Sequence, residues 1–281
     1  MISKSSSIQS IWDIDLKTNA GLEKLEIFLS NGGNADEIGD PFQDASPATL
    51  LIKASFWGYV KAAEILIQFG ANVNYVNPRV GSPLINAAGA GELELCTILL
   101  HHGADANLSR ISDIFPAISY PHVISTPLSQ AAKYNHEKII ELLLEYGAET
   151  DIVVESIPVI GDIITPLSIA ARRGNLSAVN SLLNGGANIN FMHPIGFSPL
   201  HESIVNNHIK IFRLLIDNGA DIHQRGSIYG ATPLWLAKRV GSRMPSQENQ
   251  EIQDYLTNNG AVSRLYLWAN VLLLSGFLNF R

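Results

Sequence analysis

The chain has 281 residues, 46% of them hydrophobic and only 16% charged, and carries a formal net charge of −7. Charged content below the usual figure of about 25% excludes a disordered chain and implies a large buried surface. An acidic balance also argues against a general nucleic-acid binder, which needs a basic footprint to displace counterions. The single cysteine, Cys96, permits neither an internal disulfide nor a cysteine-based zinc site, and it fits a chain kept in a reducing, cytoplasmic compartment.

The first segment, MISKSSSIQSIWDIDLK, has no apolar core followed by a small-residue cleavage site, so it is not expected to be a signal peptide. From Leu22 the chain reads LEKLEIFLSNGGNAD, an apolar-periodic helix ended by glycine. The same pattern returns without gaps from Val60, Leu93, Glu137, Leu176 and Ile209, and more loosely from Gln250. A second signal precedes most of these helices. It is weak at Thr49 (TLLIKASFWG, without proline) and clear as SPLINAAGAG from Ser82, TPLSQAAKYN from Thr126, TPLSIAARRG from Thr165, SPLHESIVNN from Ser198 and TPLWLAKRVG from Thr232. A hydroxyl residue followed by proline is an N-cap joined to a first-turn residue, suited to starting a short helix. Successive starts are separated by 33, 44, 39, 33 and 34 residues, so the chain is expected to be a solenoid of paired short helices.

Signatures of catalysis do not survive inspection. His136-Glu137 and His201-Glu202 begin an H-E-x-x-H pattern, but Ile140 and Val205 stand where the second histidine belongs. Gly89-Ala90-Gly91 lacks the third glycine of a dinucleotide loop, and neither a phosphate loop nor a G-x-S-x-G elbow occurs. No enzymatic activity, cofactor or metal is therefore expected. Cys96, beside Leu95, Ile98 and Leu99, reads as a small core thiol, and His101 and His102 as imidazoles meeting the carbonyls at a helix C-terminus.

The S/T-P-L starts combined with G-A-D/N-x-N ends resemble those of ankyrin-repeat proteins, from roughly Leu22 to Val262. The resemblance implies an all-α solenoid of about seven helix-pair repeats with projecting hairpin loops, two of them extended. Residues 1–36 are expected to form a degenerate N-terminal capping repeat, 37–262 the repeats proper, and 263–281 an apolar C-terminal helix or tail. The last repeat, Thr232 to Val262, carries a seven-residue insertion around SRMPSQE. His201 occupies the family's T-P-L-H position, which implies a structural histidine bonded between neighbouring repeats. Other repeats replace it with Ile52, Ile85, Ser129, Ser168 and Trp235. The resemblance further implies that the last residues of each first helix face the concave side and vary with the partner. These are Phe56 and Trp57, Gly89 and Ala90, Lys133 and Tyr134, Arg172 and Arg173, Val205 and Asn206, then Arg239 and Val240.

Three departures from the repeat carry the functional expectation. The loop between Asn107 and Thr126 gains 11 residues over the base period and that between Asp151 and Thr165 gains six. Both are apolar where loops are normally polar, and they offer Phe115, Tyr120, Ile157 and Ile160 as contacts. At the first-helix ends, Trp, Tyr and Arg are the types that most often dominate interface energy, and local bases on an acidic protein point to an acidic or phosphorylated partner. The tail, SRLYLWANVLLLSGFLNFR, is expected either to cap the last repeat or to contact a membrane or partner. Together these predict a non-enzymatic protein-interaction module, with no nucleic-acid partner. A membrane-associated adaptor anchored by the tail is the alternative. The richness in Ile and Asn matches A/T-rich coding, and intracellular bacteria with such genomes deliver proteins of this family into host cells, so action in a host cytoplasm is a further expectation.

Overall fold

A serine or threonine before proline starts a helix because its side-chain oxygen takes a backbone N–H that the helix itself leaves unpaired. The computed structural model, which describes residues 11–39, 47–112, 122–157, 162–192, 197–226 and 230–263, shows this repeatedly. Ser82 Oγ accepts from the Ile85 amide at 3.2 Å, Thr165 Oγ1 from Ser168 at 3.3 Å, and Thr232 Oγ1 from Trp235 at 3.4 Å. Thr126 and Ser129 cap one another reciprocally, at 3.1 and 2.9 Å. Thr49, which lacks the following proline, stands at the same place in extended backbone but makes no side-chain cap.

A 3₁₀ turn at Ile11–Asp13 precedes α1 (Asn19–Ser30). There follow α2 (Leu50–Trp57) with α3 (Val60–Gln68), α4 (Pro83–Ala90) with α5 (Leu93–His101), and α6 (Pro127–Tyr134) with α7 (Glu137–Glu145). The series continues with α8 (Pro166–Arg173) and α9 (Leu176–Asn184), α10 (Pro199–Val205) and α11 (Ile209–Asp217), then α12 (Pro233–Arg243) and α13 (Gln247–Asn258). The first member of the N-terminal copy is thus one short turn. The insertion near the C-terminus lengthens α12 and supplies Ser246, which caps α13 by accepting from the Asn249 amide at 3.1 Å.

The chain falls into two compact units, Met1–Ala131 with Leu142–Ala148, and Ala132–Glu141 with Glu149–Arg281. In the first, α2 packs on α4 while α1, α3 and α5 form a second row, each pair closing α2 on α3 and α4 on α5. In the second, α8, α10 and α12 form one row and α9, α11 and α13 the other. The fold is the expected all-α repeat solenoid. Its second helices bury residues at i, i+1 and i+4, as in Leu95, Cys96 and Leu99 of α5 and Ile211, Phe212 and Leu215 of α11. They then stop where glycine takes a positive φ, 86° at Gly70 and 89° at Gly219.

The G-A-D/N-x-N ends stitch successive loops together. Asn74 Oδ1 accepts from the Asp105 amide at 2.8 Å while its Nδ2 donates to the Gly103 carbonyl at 2.9 Å. Asn190 repeats the first of these bonds on Asp221 at 2.9 Å. The described ends of both long insertions pair as antiparallel strands. After the two-residue pair β1 (Ile38–Gly39) and β2 (Ala48–Thr49), β3 (Arg110–Ser112) pairs with β4 (His122–Ser125) and β5 (Val154–Ile157) with β6 (Asp162–Ile164). Each longer ribbon has a register shift, between Arg110 and Ile111 and between Glu155 and Ile157.

Candidate functional site

The last turns of α2, α4, α6, α8 and α10 lead into the left-handed conformation, on Gly58, Gly91 and Gly174 or on Asn135 and Asn207, whereas α12 runs on to Arg243 and ends at Met244 with φ −134°. The two residues before that point are the ones the sequence singled out. In the first unit, Phe56 and Trp57 close α2 as an edge-to-face pair, with ring centroids 5.1 Å apart and planes at 86°. Trp57 is 54% exposed, a large indole left in water. Gly89 is half-buried and Ala90 exposed at the end of α4.

In the second unit the corresponding ends are tied to one another by the residue that opens the next second helix. Asn175 Nδ2 donates to the carbonyls of Ala132 and Lys133 at 2.8 and 3.0 Å. One repeat later His208 Nε2 donates to the carbonyl of Arg172 at 3.1 Å. These bonds fix the helix ends that carry Lys133, Tyr134, Arg172 and Arg173. Tyr134 is 52% exposed, and Lys133 Nζ lies 5.1 Å from the centre of its ring, a cation–π contact. Arg173 is exposed. Arg239 is half-buried, and its Nε is buried with no hydrogen-bond partner among the described residues.

Arg172 has a different situation. Its Nε and Nη2 donate to Glu202 Oε2 and Oε1 at 2.9 and 2.7 Å, a bidentate pair with a carboxylate only 3% exposed. Sequence reasoning treated Glu202 only as part of a failed zinc motif. The signal that would have found it is the spacing of 30 residues, one repeat forward and one helical turn back. Val205 is half-buried, and Asn206 folds its amide back onto the Glu202 carbonyl at 2.9 Å.

His201 is fully buried, stacked against Phe197 at 5.6 Å. Its Nδ1 accepts from the Ser198 hydroxyl at 2.6 Å and its Nε2 donates to the Ala231 carbonyl of the next repeat at 3.2 Å. Burial pushes its pKa down to about 4, outweighing the opposite pull of the Ala231 and Gln224 carbonyls and of Asp221. This neutral imidazole is the structural inter-repeat bridge expected of that position. Cys96 is buried on α5, and desolvation, reinforced by Glu92, lifts its thiol to about 12, which leaves it unreactive.

The hairpin residues are reached only in part. Ile157 ends β5, paired with Asp162, whereas Phe115, Tyr120 and Ile160 lie outside the described residues, as does the tail from 264 to 281. Among the described residues no helix is long and apolar enough to cross a membrane, and no three His, Cys, Asp or Glu side chains gather as metal ligands.

Comparison with known proteins accounts for the repeating helix pairs. The family described as "Ankyrin repeats (3 copies)" matches residues 17–110 and 167–262, and a single "Ankyrin repeat" matches 125–154. The chain is 32% identical over 266 residues to the ankyrin repeat and KH domain-containing protein mask-1 of Caenorhabditis elegans, covering 85% of this chain and 9% of that protein. It is 26% identical over 200 residues to the human transient receptor potential cation channel subfamily A member 1, covering 70% of this chain and 17% of the channel subunit. The chain therefore spans a small part of either relative. The human ASB11 ankyrin repeat domain superposes with a TM-score of 0.66 at 24% identity, over 86% of this chain and 95% of that one. Proteins with these repeats are generally protein-interaction modules and typically non-enzymatic. With its capped helix starts, glycine-terminated second helices and loop stitches all generated by one repeating unit, the chain belongs to the ankyrin-repeat family.

Proposed function

We propose that this chain is a non-enzymatic module that binds a protein partner through the exposed ends of its first helices, and that the partner surface is acidic or phosphorylated. One observation carries the reading. In the second unit the first helices hold Lys133, Arg172, Arg173, Lys238, Arg239 and Arg243, and their single carboxylate, Glu202, is buried against Arg172. A face with bases and no exposed acid attracts anions even on a molecule of net charge −7. Bases in the last turn of α8 also complement the C-terminal carbonyls, but that role needs no exposed guanidinium such as Arg173. Phe56 and Trp57 supply an aromatic anchor in the first unit, and Phe115, Tyr120, Ile157 and Ile160 extend the proposed contacts along the two hairpins. Action in a host cell and membrane contact through the tail rest on the sequence alone.

The test is affinity capture followed by surface plasmon resonance with the captured partner. Trp57→Ala or Tyr134→Ala is expected to weaken binding by about 1–3 kcal/mol with circular dichroism unchanged. Arg173→Glu is expected chiefly to slow association and flatten its salt dependence. Native affinity in all three variants would remove the first-helix ends from the site.

A further inference from the structure

A second surface of opposite character lies on the second helices of the first unit. The residues that end α3, α5 and α7, immediately before the left-handed glycines, are Phe69, His102 and Tyr146. Repetition places them at one register on consecutive helices. Phe69 is 37% and Tyr146 40% exposed, and both His101 and His102 face water. His101 also meets Tyr146 edge-on, with centroids 6.0 Å apart, so the α5 and α7 ends are in contact. These aromatics are not core residues that fell short of burial, because the apolar stripes beneath them are already filled by Leu66, Leu99 and Leu143.

The charged residue nearest in sequence to each of Phe69, His102 and Tyr146 is acidic. Residues 64–71, 97–105 and 142–148 contain Glu64, Asp105 and Glu145 but no lysine or arginine. All three carboxylate residues are exposed. The C-termini of three helices end here as well, and the last carbonyls of each helix carry a partial negative charge equivalent to roughly half an electron. Aromatic faces, carboxylates and carbonyl-rich helix ends share one preference, for a planar or compact cation that tolerates partial desolvation.

We infer that the row Phe69, His101, His102 and Tyr146 is a docking strip for an arginine-rich segment of a protein partner. Guanidinium groups stack on the rings and pair with Glu64, Asp105 and Glu145, while the helix termini supply the background potential. Arginine fits better than lysine, since its weakly hydrated plane can lie against a ring and still offer edge donors to a carboxylate. The strip is separate in elements and in charge from the first-helix ends of the proposed function, so one protein would hold two partners, or two segments of one partner, of opposite sign.

The probe is a short fluorescein-labelled peptide of alternating arginine and glycine, titrated into the full chain and followed by anisotropy. The combined variant Phe69→Ser, His102→Ser and Tyr146→Ser leaves every carboxylate in place. It is expected to weaken binding at least roughly five-fold, the joint effect of exposed cation–π contacts. A peptide of the same length with lysine for arginine is expected to bind the native chain more weakly. On the native chain, ¹H–¹⁵N spectra are expected to show peptide-induced shifts at the Gly70, Gly103 and Gly147 amides. Unchanged affinity in the combined variant, equal binding of the lysine peptide, or shifts confined to other residues would each overturn the proposal and leave only the attraction of a polycation to an acidic protein. Trp57→Ala and Arg173→Glu, which test the other surface, are expected to leave the arginine peptide's affinity unchanged.

Discussion

Two buried residues show how single side chains set the properties of this solenoid. Glu202 has its carboxylate almost wholly out of water and is satisfied by both Arg172 donors, so the guanidinium serves the fold before it serves any partner. His201 does the same for its neighbours as a neutral ring between Ser198 and Ala231. Its folded pKa of about 4 lies below the ordinary imidazole value of 6.5, so the unfolded chain takes up a proton first as pH falls. The stabilisation that His201 gives is therefore complete above about pH 6.5 and is lost as pH falls towards 4. In urea denaturation at pH 7, 6 and 5, the stability gap between the native chain and His201→Gln is expected to shrink with acidification by on the order of 1–3 kcal/mol. A gap independent of pH would show that the ring titrates normally in the folded state.

At the scale of the element, each helix is too short to be stable alone and holds its shape by burying one stripe. The nine-residue α7 is typical: Ile139, Ile140 and Leu143 are buried, while Glu137, Glu141 and Glu145 stay in water. Leu143→Ala is expected to destabilise the protein by about 2–5 kcal/mol, the range for a fully buried leucine whose cavity the surroundings only partly fill. Equilibrium denaturation decides it, and a loss below about 0.5 kcal/mol would mean that this stripe is not packed. Short helix starts were legible in the residues themselves, since hydroxyl caps and prolines act within four residues. The ribbons β3–β4 and β5–β6 were visible only as apolar excess over the base period, because strand pairing and register shifts depend on residues at both ends of a loop.

For the whole molecule, repeats that contact only their neighbours make stability a sum of local and nearest-neighbour contributions, so the ends are the weak points. At the C-terminal end, the hydroxyl of Thr232 donates to the Val262 carbonyl at 2.6 Å, which ties the last loop to the start of α12. We propose that residues 264–281 cover this last repeat. Deleting them is expected to lower the melting temperature and increase binding of a hydrophobic dye. An unchanged melting curve would instead assign the segment to a partner or membrane. The sequence by itself determined the repeat, its period, the helix pairs and the buried stripes, because caps, glycine stops and apolar periodicity are local signals copied along the chain. Only the tertiary structure decided that Arg172 is held by Glu202 whereas Arg173 is exposed, and that Tyr134 stacks with Lys133. It also decided that Phe69, His102 and Tyr146 stand in water over a filled core. The ion pair and the filled core depend on what an adjacent helix presents and the Tyr134–Lys133 contact on side-chain rotamers, whereas a one-dimensional pattern assigns a residue to a helix face without saying which side chain it meets.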